Sequence, residues 1–169
     1  MKPEEIINQL EYNIDVYKHL LLRIPENLIK WKPAENIWCL LEIVSHLYDE
    51  EREDFRARLD KILSNDNNWN PIDPAGWVTS RNYIYNDYMD TVEKFLFERR
   101  KSIKFLRTLD HINWKVKVFH PKFGEFVALN MLCSWLAHDY LHVRQIIKTK
   151  YLFLNSGLAS GDLRYAGEW

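Results

Sequence analysis

Cysteine and glycine are scarce in this sequence of 169 residues, and neither sign of charge dominates it. The two cysteines, Cys39 and Cys133, lie far apart and outside any Cys-x-x-Cys pattern. That placement excludes a disulfide framework and a thiolate zinc site, and it is typical of reduced cysteines in an intracellular protein. With only five glycines and 47% apolar residues, the composition indicates a packed globular chain rather than a disordered one.

The charge balance and the absence of long apolar runs exclude two classes of partner. Lysine and arginine number 23 against 24 aspartates and glutamates, and no basic stripe of the kind that binds nucleic acid is present. No window reaches the ~18 apolar residues that a membrane-spanning helix needs. The opening MKPEEIINQLEYN also lacks the apolar region of a signal peptide. We therefore expect a cytoplasmic protein with neither a nucleic-acid nor a membrane partner.

Apolar residues that recur every three or four positions predict four amphipathic helices. The first stripe stops before Pro25, because proline disfavours a helical residue before it. The predicted helices run from Glu4 to about Arg23, from near Cys39 to near Ser64, from about Tyr83 to Leu109 and from about Phe126 to Phe153. With no strand long enough for a sheet, they predict a single all-α domain over residues 1–169, a four-helix bundle.

Two connections in the chain are predicted to be irregular. Residues 65–81 (NDNNWNPIDPAGWVTSR) are rich in Asn, Asp, Pro and Gly, which disfavour the interior of a helix. A link this long between helices 2 and 3 more often covers a site than merely joins two elements. We therefore expect Trp69 and Trp77 either to line a site or to plug the bundle. Residues 110–126 predict an irregular or short hairpin-like link.

The third helix has an inward-facing stripe that contains one cation. The other members of the stripe are Tyr88, Val92, Phe95, Ser102 or Ile103, and Leu106. Arg99 falls on the same stripe. Two roles for it are open: binding an anionic group of a substrate, or an ion pair with a neighbouring carboxylate.

The last helix carries two parallel stripes. The first predicts an ordinary core seam of Leu129, Leu132, Leu136, Tyr140, Val143 and Ile147. The second mixes aromatic and polar side chains and consists of Met131, Trp135, His138, His142, Gln145 and Thr149. A solvated face would hold lysine and glutamate rather than tryptophan and methionine, so the two histidines are predicted to lie half-enclosed at the margin of the core.

Three histidines on two of these helices form a candidate metal site. The spacing of His138 and His142 stacks both imidazoles on one helix face, about one turn apart. On the second helix, His46 lies within about 60° of the core residue Ile43, with Glu50 one turn further along the same flank. Taken alone, His46 would instead be a hydrogen-bonded residue at the core boundary. Together, three neutral imidazoles suit Zn²⁺ or Ni²⁺ and leave at least one coordination position open for water or substrate.

Two carboxylates near these histidines are candidate catalytic groups. Glu50 is either a solvated residue or a proton acceptor beside the metal. Asp139 completes the pattern His-Asp-x-x-His, which is similar to the His-Glu-x-x-His of zinc proteases but one methylene shorter where the general base must reach. The remaining histidines, His19, His111 and His120, have no partner at helical spacing and are predicted to lie on the surface.

Four segments of the chain occur in the order and spacing typical of a known family. WCLLEIVSHLYDEE carries His46, IDPAGW lies in the long loop, WLAHDYLHVRQI carries His138 and His142, and LRYAGEW comes last. Over nearly its whole length the chain thereby resembles the DinB-like superfamily of metal-binding four-helix proteins. The resemblance implies a bundle of the DinB-like type in which these three histidines hold a divalent metal. Characterised members include S-transferases and isomerases that use low-molecular-weight thiols, and a metal-dependent amide hydrolase.

Three functions are compatible with such a centre. A low-molecular-weight thiol cosubstrate bound at the cation would ionise near neutral pH and attack an electrophile, so the first expectation is a thiol-dependent S-transferase of small molecules. Alternatively, a bound water would attack an amide or ester, with Glu50 or Asp139 accepting a proton. The third alternative is a metal-binding or stress-associated protein without turnover. Bundles of this kind can also pair through an exposed helix face, which makes a homodimer a further hypothesis.

Overall fold

The computed structural model describes residues 1–66, 68, 71–120, 122, 124–158, 163–167 and 169, and it has the predicted all-α four-helix bundle. The long helices are α1 (Pro3–Leu21), a second rod made of α3 (Leu40–Asp49), a π-helical segment (Glu50–Phe55) and α4 (Arg56–Leu63), then α6 (Tyr88–Thr108) and α7 (Ala128–Ser156). Short elements complete the fold: α2 (Glu26–Ile29), α5 (Pro74–Ser80), 3₁₀ turns at Tyr83–Tyr85 and Arg164–Ala166, and strands β1 (Lys117–His120) and β2 (Gly124–Val127).

Helix α1 begins at one proline and ends before another. Pro3 occupies its first turn, where the missing N–H has no partner to lose. The helix ends at Leu21, slightly before the predicted Arg23, because Arg23 takes a left-handed conformation with φ of 57°. Pro25 follows and caps α2, so α1 stops before Pro25, as predicted, but it ends four residues earlier than that proline.

The second rod contains a wide turn that the sequence pattern did not predict. No proline or glycine marks residues 50–55, yet they form a π-helical turn between α3 and α4. The preceding helix α3 is buried at every residue from Leu40 to Leu47. In the π-helical turn that follows, Glu50 and Glu51 are only 4% and 2% exposed. The second rod thus stays in the interior of the bundle through this turn and places two adjacent carboxylates there.

The prediction of irregular structure over residues 65–81 is wrong for Pro74–Ser80, which form α5. The Asp73 carboxylate accepts a hydrogen bond from the Gly76 N–H at 3.0 Å and so caps the helix. A Cβ at Gly76 would lie 2.0 Å from Asp73 Oδ2, so glycine is the residue that fits there. The Asp-Pro pair was a usable N-terminal helix signal that the polar composition obscured. Trp69 lies outside the described residues.

Helix α6 begins at Tyr88 rather than at the predicted Tyr83, because Tyr83–Tyr85 form a separate 3₁₀ turn and the Asp87 carboxylate caps α6 by accepting from the Asp90 N–H. The predicted inward stripe of α6 and the hairpin-like link that follows are confirmed. All the side chains of that stripe, including Arg99, are buried. Strands β1 and β2 pair in an antiparallel hairpin, with Lys117 opposite Val127 and His120 opposite Gly124. Among the described residues, no helix is both long and apolar enough to cross a bilayer.

The predicted core seam on α7 is partly wrong. Leu132 and Leu136 are buried, but Tyr140 and Ile147 are 49% and 40% exposed. The helix instead buries a stripe made of Met131, Trp135, Asp139, His142, Ile146 and Thr149. The polar members of this stripe face inward because the middle of the bundle supplies buried polar partners for them.

A polar layer divides the core into two apolar clusters. One cluster contains Leu10 of α1 and Leu136 of α7. The other contains Tyr17 of α1 and Ile146 of α7. The buried polar residues between the clusters include Asn13, Glu51, Arg99, Asp139 and His142. The candidate site thus lies in the polar layer between the two apolar clusters.

Candidate metal centre

The structure brings the three predicted histidines together. His46 comes from α3, and His138 and His142 come from adjacent turns of α7. Their ring centroids lie 5.5 Å apart for His46 and His138, 4.9 Å for His46 and His142, and 4.3 Å for His138 and His142. One nitrogen from each ring can be chosen so that all three lie within 4.8 Å of one another. We call this set the histidine cluster.

Burial keeps the histidine cluster neutral at physiological pH. Burial, followed by the proximity of His142, lowers the pKa of His46 to about 3, although the backbone of Pro74 and the Asp49 carboxylate act in the opposite direction. Burial also lowers the pKa of His138, with further lowering by the other two imidazoles. The pKa of His142 is lowered by burial as well. Neutral imidazoles keep a lone pair for coordination.

Gln145 sets the tautomer of His142. Nδ1 of His142 lies 2.8 Å from the Gln145 side-chain oxygen, so Nδ1–H donates to it and Nε2 carries the lone pair. That Nε2 lies 3.0 Å from Nε2 of His138. Two lone pairs at this separation repel each other unless a proton or a cation lies between them. Nδ1 of His46 is also buried without a hydrogen-bond partner among the described residues.

The donor set fits a divalent transition metal. Zinc–imidazole bonds of about 2.0–2.1 Å place the ligand nitrogens of one ion within about 4 Å of each other, close to the spacing of the histidine cluster. Nitrogen donors of this kind suit Zn²⁺ and Ni²⁺ better than Mg²⁺ or Ca²⁺. Among the described residues, the group of metal-ligating side chains contains only these three histidines. A tetrahedral ion held by them would keep one position for another ligand.

Glu50 lies at the edge of the histidine cluster. Its Oε2 is 3.9 Å from Nε2 of His138, and its Oε1 has no hydrogen-bond partner among the described residues. Burial and then the neighbouring Asp54 carboxylate raise the pKa of Glu50 to about 9. Asp54 also forms an ion pair with Arg58. In the metal-free protein Glu50 therefore holds a proton near neutral pH, at a position that faces the cluster.

Asp139 points away from the cluster, although it follows His138 in the chain. Arg99 donates to both of its carboxylate oxygens at 2.7 Å, and the side chains of Asn13 and Tyr17 donate to it at 2.8 and 3.2 Å. Arg99 also donates to Glu51 at 2.8 Å. Of the two roles open to Arg99, the structure shows the ion pair, with Asp139 and Glu51 as its partners. Asp139 thus has a full set of core partners and is not oriented toward a ligand of the cluster.

A second ionic network fastens α5 beside His46. Arg81 donates to both carboxylate oxygens of Glu53, at 2.9 and 2.8 Å, and to Asp49 at 2.5 Å. Its guanidinium lies 4.0 Å from the ring centroid of Trp77. The hydroxyl of Tyr83 adds a 2.6 Å hydrogen bond to Asp49. The half-buried Trp77 therefore packs on Arg81, whose ion pairs with Asp49 and Glu53 hold α5 against the second rod. We call these ion pairs the Arg81 clamp.

Aromatic rings flank the cluster. Trp38 lies 5.0 Å from the His46 ring and Phe55 lies 4.9 Å from the His138 ring. The His138 side chain is 18% exposed, so solvent reaches the cluster on its side.

Sequence reasoning missed several of these neighbours. A fixed i, i+3 spacing could have paired Gln145 with His142, whereas Trp38 and Phe55 required the three-dimensional packing. Of the histidines predicted to lie on the surface, His19 and His111 are exposed and His120 is half-buried.

The sequence and the fold were then compared with known proteins. The sequence profile of the DinB superfamily matches residues 9–146. No functionally curated protein matches the sequence. The fold is similar to that of YfiT from Bacillus subtilis, described as a probable metal-dependent hydrolase with an unusual four-helix bundle topology. The two chains superpose with a TM-score of 0.77 at 18% identity, over 89% of this chain and 86% of the other. The chain belongs to the DinB superfamily.

Proposed function

We propose that this protein is a metal-dependent hydrolase of small amides or esters. In this proposal His46, His138 and His142 hold a Zn²⁺ or Ni²⁺ ion, and Glu50 transfers protons during the reaction. The observation that carries the proposal is the buried Glu50 carboxyl, which lies 3.9 Å from His138 with one oxygen lacking a hydrogen-bond partner among the described residues. The likeness to YfiT, itself described as a probable metal-dependent hydrolase, supports the same reaction class.

The residues around the centre have separable roles in this proposal. When bound, a divalent cation would supply the positive charge that lowers the pKa of a water molecule. Gln145 keeps the lone pair of His142 directed at the ion. Glu50 accepts the proton of the attacking water and returns it to the leaving amine or alcohol. Its pKa of about 9 in the metal-free protein would fall beside a cation, because an opposite charge favours the carboxylate.

Thiol-dependent S-transfer is the second candidate and uses the same three ligands. The cation alone can ionise a low-molecular-weight thiol, so this reaction needs no protein base. The engagement of Asp139 by Arg99 favours it, because one of the two candidate bases is tied into the core. Zn²⁺ or Ni²⁺ would then be joined by a thiol cosubstrate, and an electrophile would be the second small-molecule substrate.

Metal analysis tests the part that both candidates share. Protein purified without an affinity tag and reconstituted with Zn²⁺ or Ni²⁺ should retain about one ion per chain. His46→Ala, His138→Ala and His142→Ala should each lose it, whereas a variant of the exposed His19, His19→Ala, should not. Failure of the unsubstituted protein to retain a stoichiometric ion would refute both candidates.

Glu50→Gln separates the two reactions. The substitution keeps the shape of the side chain and should leave metal content unchanged, but it should slow hydrolysis of an amide and ester panel by about 10² to 10⁴-fold. Thiol transfer, assayed with small thiols and electrophiles, should be nearly unaffected by the same change. Hydrolysis that survives in Glu50→Gln would exclude the proposed role of Glu50, and the absence of turnover in both assays would favour a non-catalytic metal-binding protein.

A further inference from the structure

A groove runs along α7 on the flank of the histidine cluster. Its volume is about 610 Å³, and it is lined by Leu141, His142, Arg144, Gln145, Lys148 and Trp169. The ring of Trp169 packs against Tyr151 with 5.1 Å between centroids, which holds this wall against the helix. His142 and Gln145 belong both to the groove and to the centre, so a molecule in the groove can contact one of the three candidate metal ligands.

Two positive charges that have no counter-ion among the described residues line this groove. Arg144 and Lys148 stand one helical turn apart and are exposed, and within the described part of the chain neither has an ion pair or a side-chain hydrogen bond. By contrast, Arg81 pairs with Glu53 and Arg107 with Glu11. The sequence of α7 after Asp139 contains no aspartate or glutamate through Ser156. This end of the helix is therefore cationic along its length.

We propose that the groove binds an anionic group of the substrate, a carboxylate or a phosphate monoester. Arg144 and Lys148 contact the anion, and Leu141 and Trp169 pack against the apolar part of the same molecule. A planar guanidinium and an ammonium one turn apart can together engage the oxygens of one such group. The identification of the ligand as a substrate rests on the proposed function, whereas the binding of an anion does not.

Ligand-observed NMR titration of the metal-free protein in EDTA tests anion binding without catalysis. Benzoate and phenyl phosphate are the two anionic probes, and benzamide is the neutral analogue of benzoate. One or both anions should bind several-fold more tightly than benzamide, and the stronger of the two identifies the preferred group. Equal binding of all three compounds would overturn the inference.

Matched variants assign the charges. Arg144→Gln and Lys148→Gln should each weaken binding of the anion by about two- to fivefold, as expected for exposed charge pairs, and the double variant by roughly tenfold. Arg100→Gln, an exposed arginine on α6 that lines a different groove, should change nothing. Binding that is unchanged in the double variant would place the anion elsewhere and refute the proposal.

The same double variant distinguishes this inference from the proposed function. It should still retain one Zn²⁺ per chain, because neither residue belongs to the histidine cluster. If the enzyme hydrolyses esters, the double variant should raise KM for 4-nitrophenyl succinate about tenfold and leave KM for 4-nitrophenyl acetate unchanged. In the unsubstituted protein, failure to bind zinc with intact anion binding would contradict the metal centre alone, whereas zinc binding without a preference for anions would contradict the groove alone.

Discussion

Replacing Arg99 is the sharpest test of how the polar layer supports the centre. Arg99, Glu51 and Asp139 are 1%, 2% and 0% exposed, so Arg99→Leu would leave two buried carboxylates without their three charge-assisted hydrogen bonds. Breaking a buried ion pair by removing one partner costs about 3–5 kcal/mol. That is a large share of the roughly 5–15 kcal/mol that stabilises a typical domain. At about 2–4 °C per kcal/mol for a chain of this size, Tm should fall by roughly 6–20 °C.

The assay is urea unfolding followed by circular dichroism, with a surface arginine as control. Arg107 pairs with Glu11 at positions that are 40% and 52% exposed, so Arg107→Leu should cost at most about 1 kcal/mol. Asp139→Asn is a second test variant. It weakens the same ionic network and should also lower the free energy of unfolding. The reasoning would be refuted if Arg99→Leu cost no more than Arg107→Leu, or if Asp139→Asn abolished turnover while the free energy of unfolding stayed unchanged.

Two further predictions concern the surroundings of the histidine cluster. First, the unfolded chain protonates its imidazoles below about pH 6.5, whereas His46 stays neutral in the fold down to about pH 3. As the pH falls from 6.5 toward 4, each such histidine should therefore lower the free energy of unfolding of the metal-free protein by up to about 1.4 kcal/mol per pH unit. Glu50, whose pKa is raised to about 9, contributes the opposite slope until the unfolded chain also protonates its glutamates. Urea titrations in EDTA measure the net slope, and His46→Asn should lack the decrease that His46 contributes. Second, Arg81→Ala removes the ion pairs with Asp49 and Glu53 and the contact with Trp77. It should weaken zinc binding several-fold in a competition titration with a chelator, while Arg100→Ala should not.

Helical periodicity predicted the fold because, in the two apolar clusters, residues that recur every three or four positions face the core. The predicted stripe of α6 is buried as expected, and Pro3 begins α1. The rule failed on α7, where Tyr140 and Ile147 are exposed and Asp139 is buried. A periodic pattern identifies the apolar face of a helix, but it cannot show that the facing helices supply an arginine and two carboxylates. Burial in the middle layer is decided by partners distant in sequence.

In the candidate site, too, the features set by local spacing could be predicted from the sequence, and those set by the packing of distant segments could not. A separation of four residues on one helix fixes the relation of His138 to His142 before any folding is known. The third histidine required the second rod to pack against α7 at the right height; its position on the helical wheel beside Ile43 made His46 a candidate, and family likeness supported the choice. The roles of Glu50 and Asp139 could not be separated from the sequence, because both stand near a histidine. Only the ion pair with Arg99 shows that Asp139 serves the core.

The π-helical turn carries two buried carboxylates, one beside the centre and one in the core. With the wide turn, Glu50 faces His138 while Glu51 accepts from Arg99 at 2.8 Å and from Trp135 at 3.2 Å. These hydrogen bonds hold the turn on its inner side. The ion pair that stabilises the bundle therefore also fixes the position of the carboxyl group proposed to carry protons.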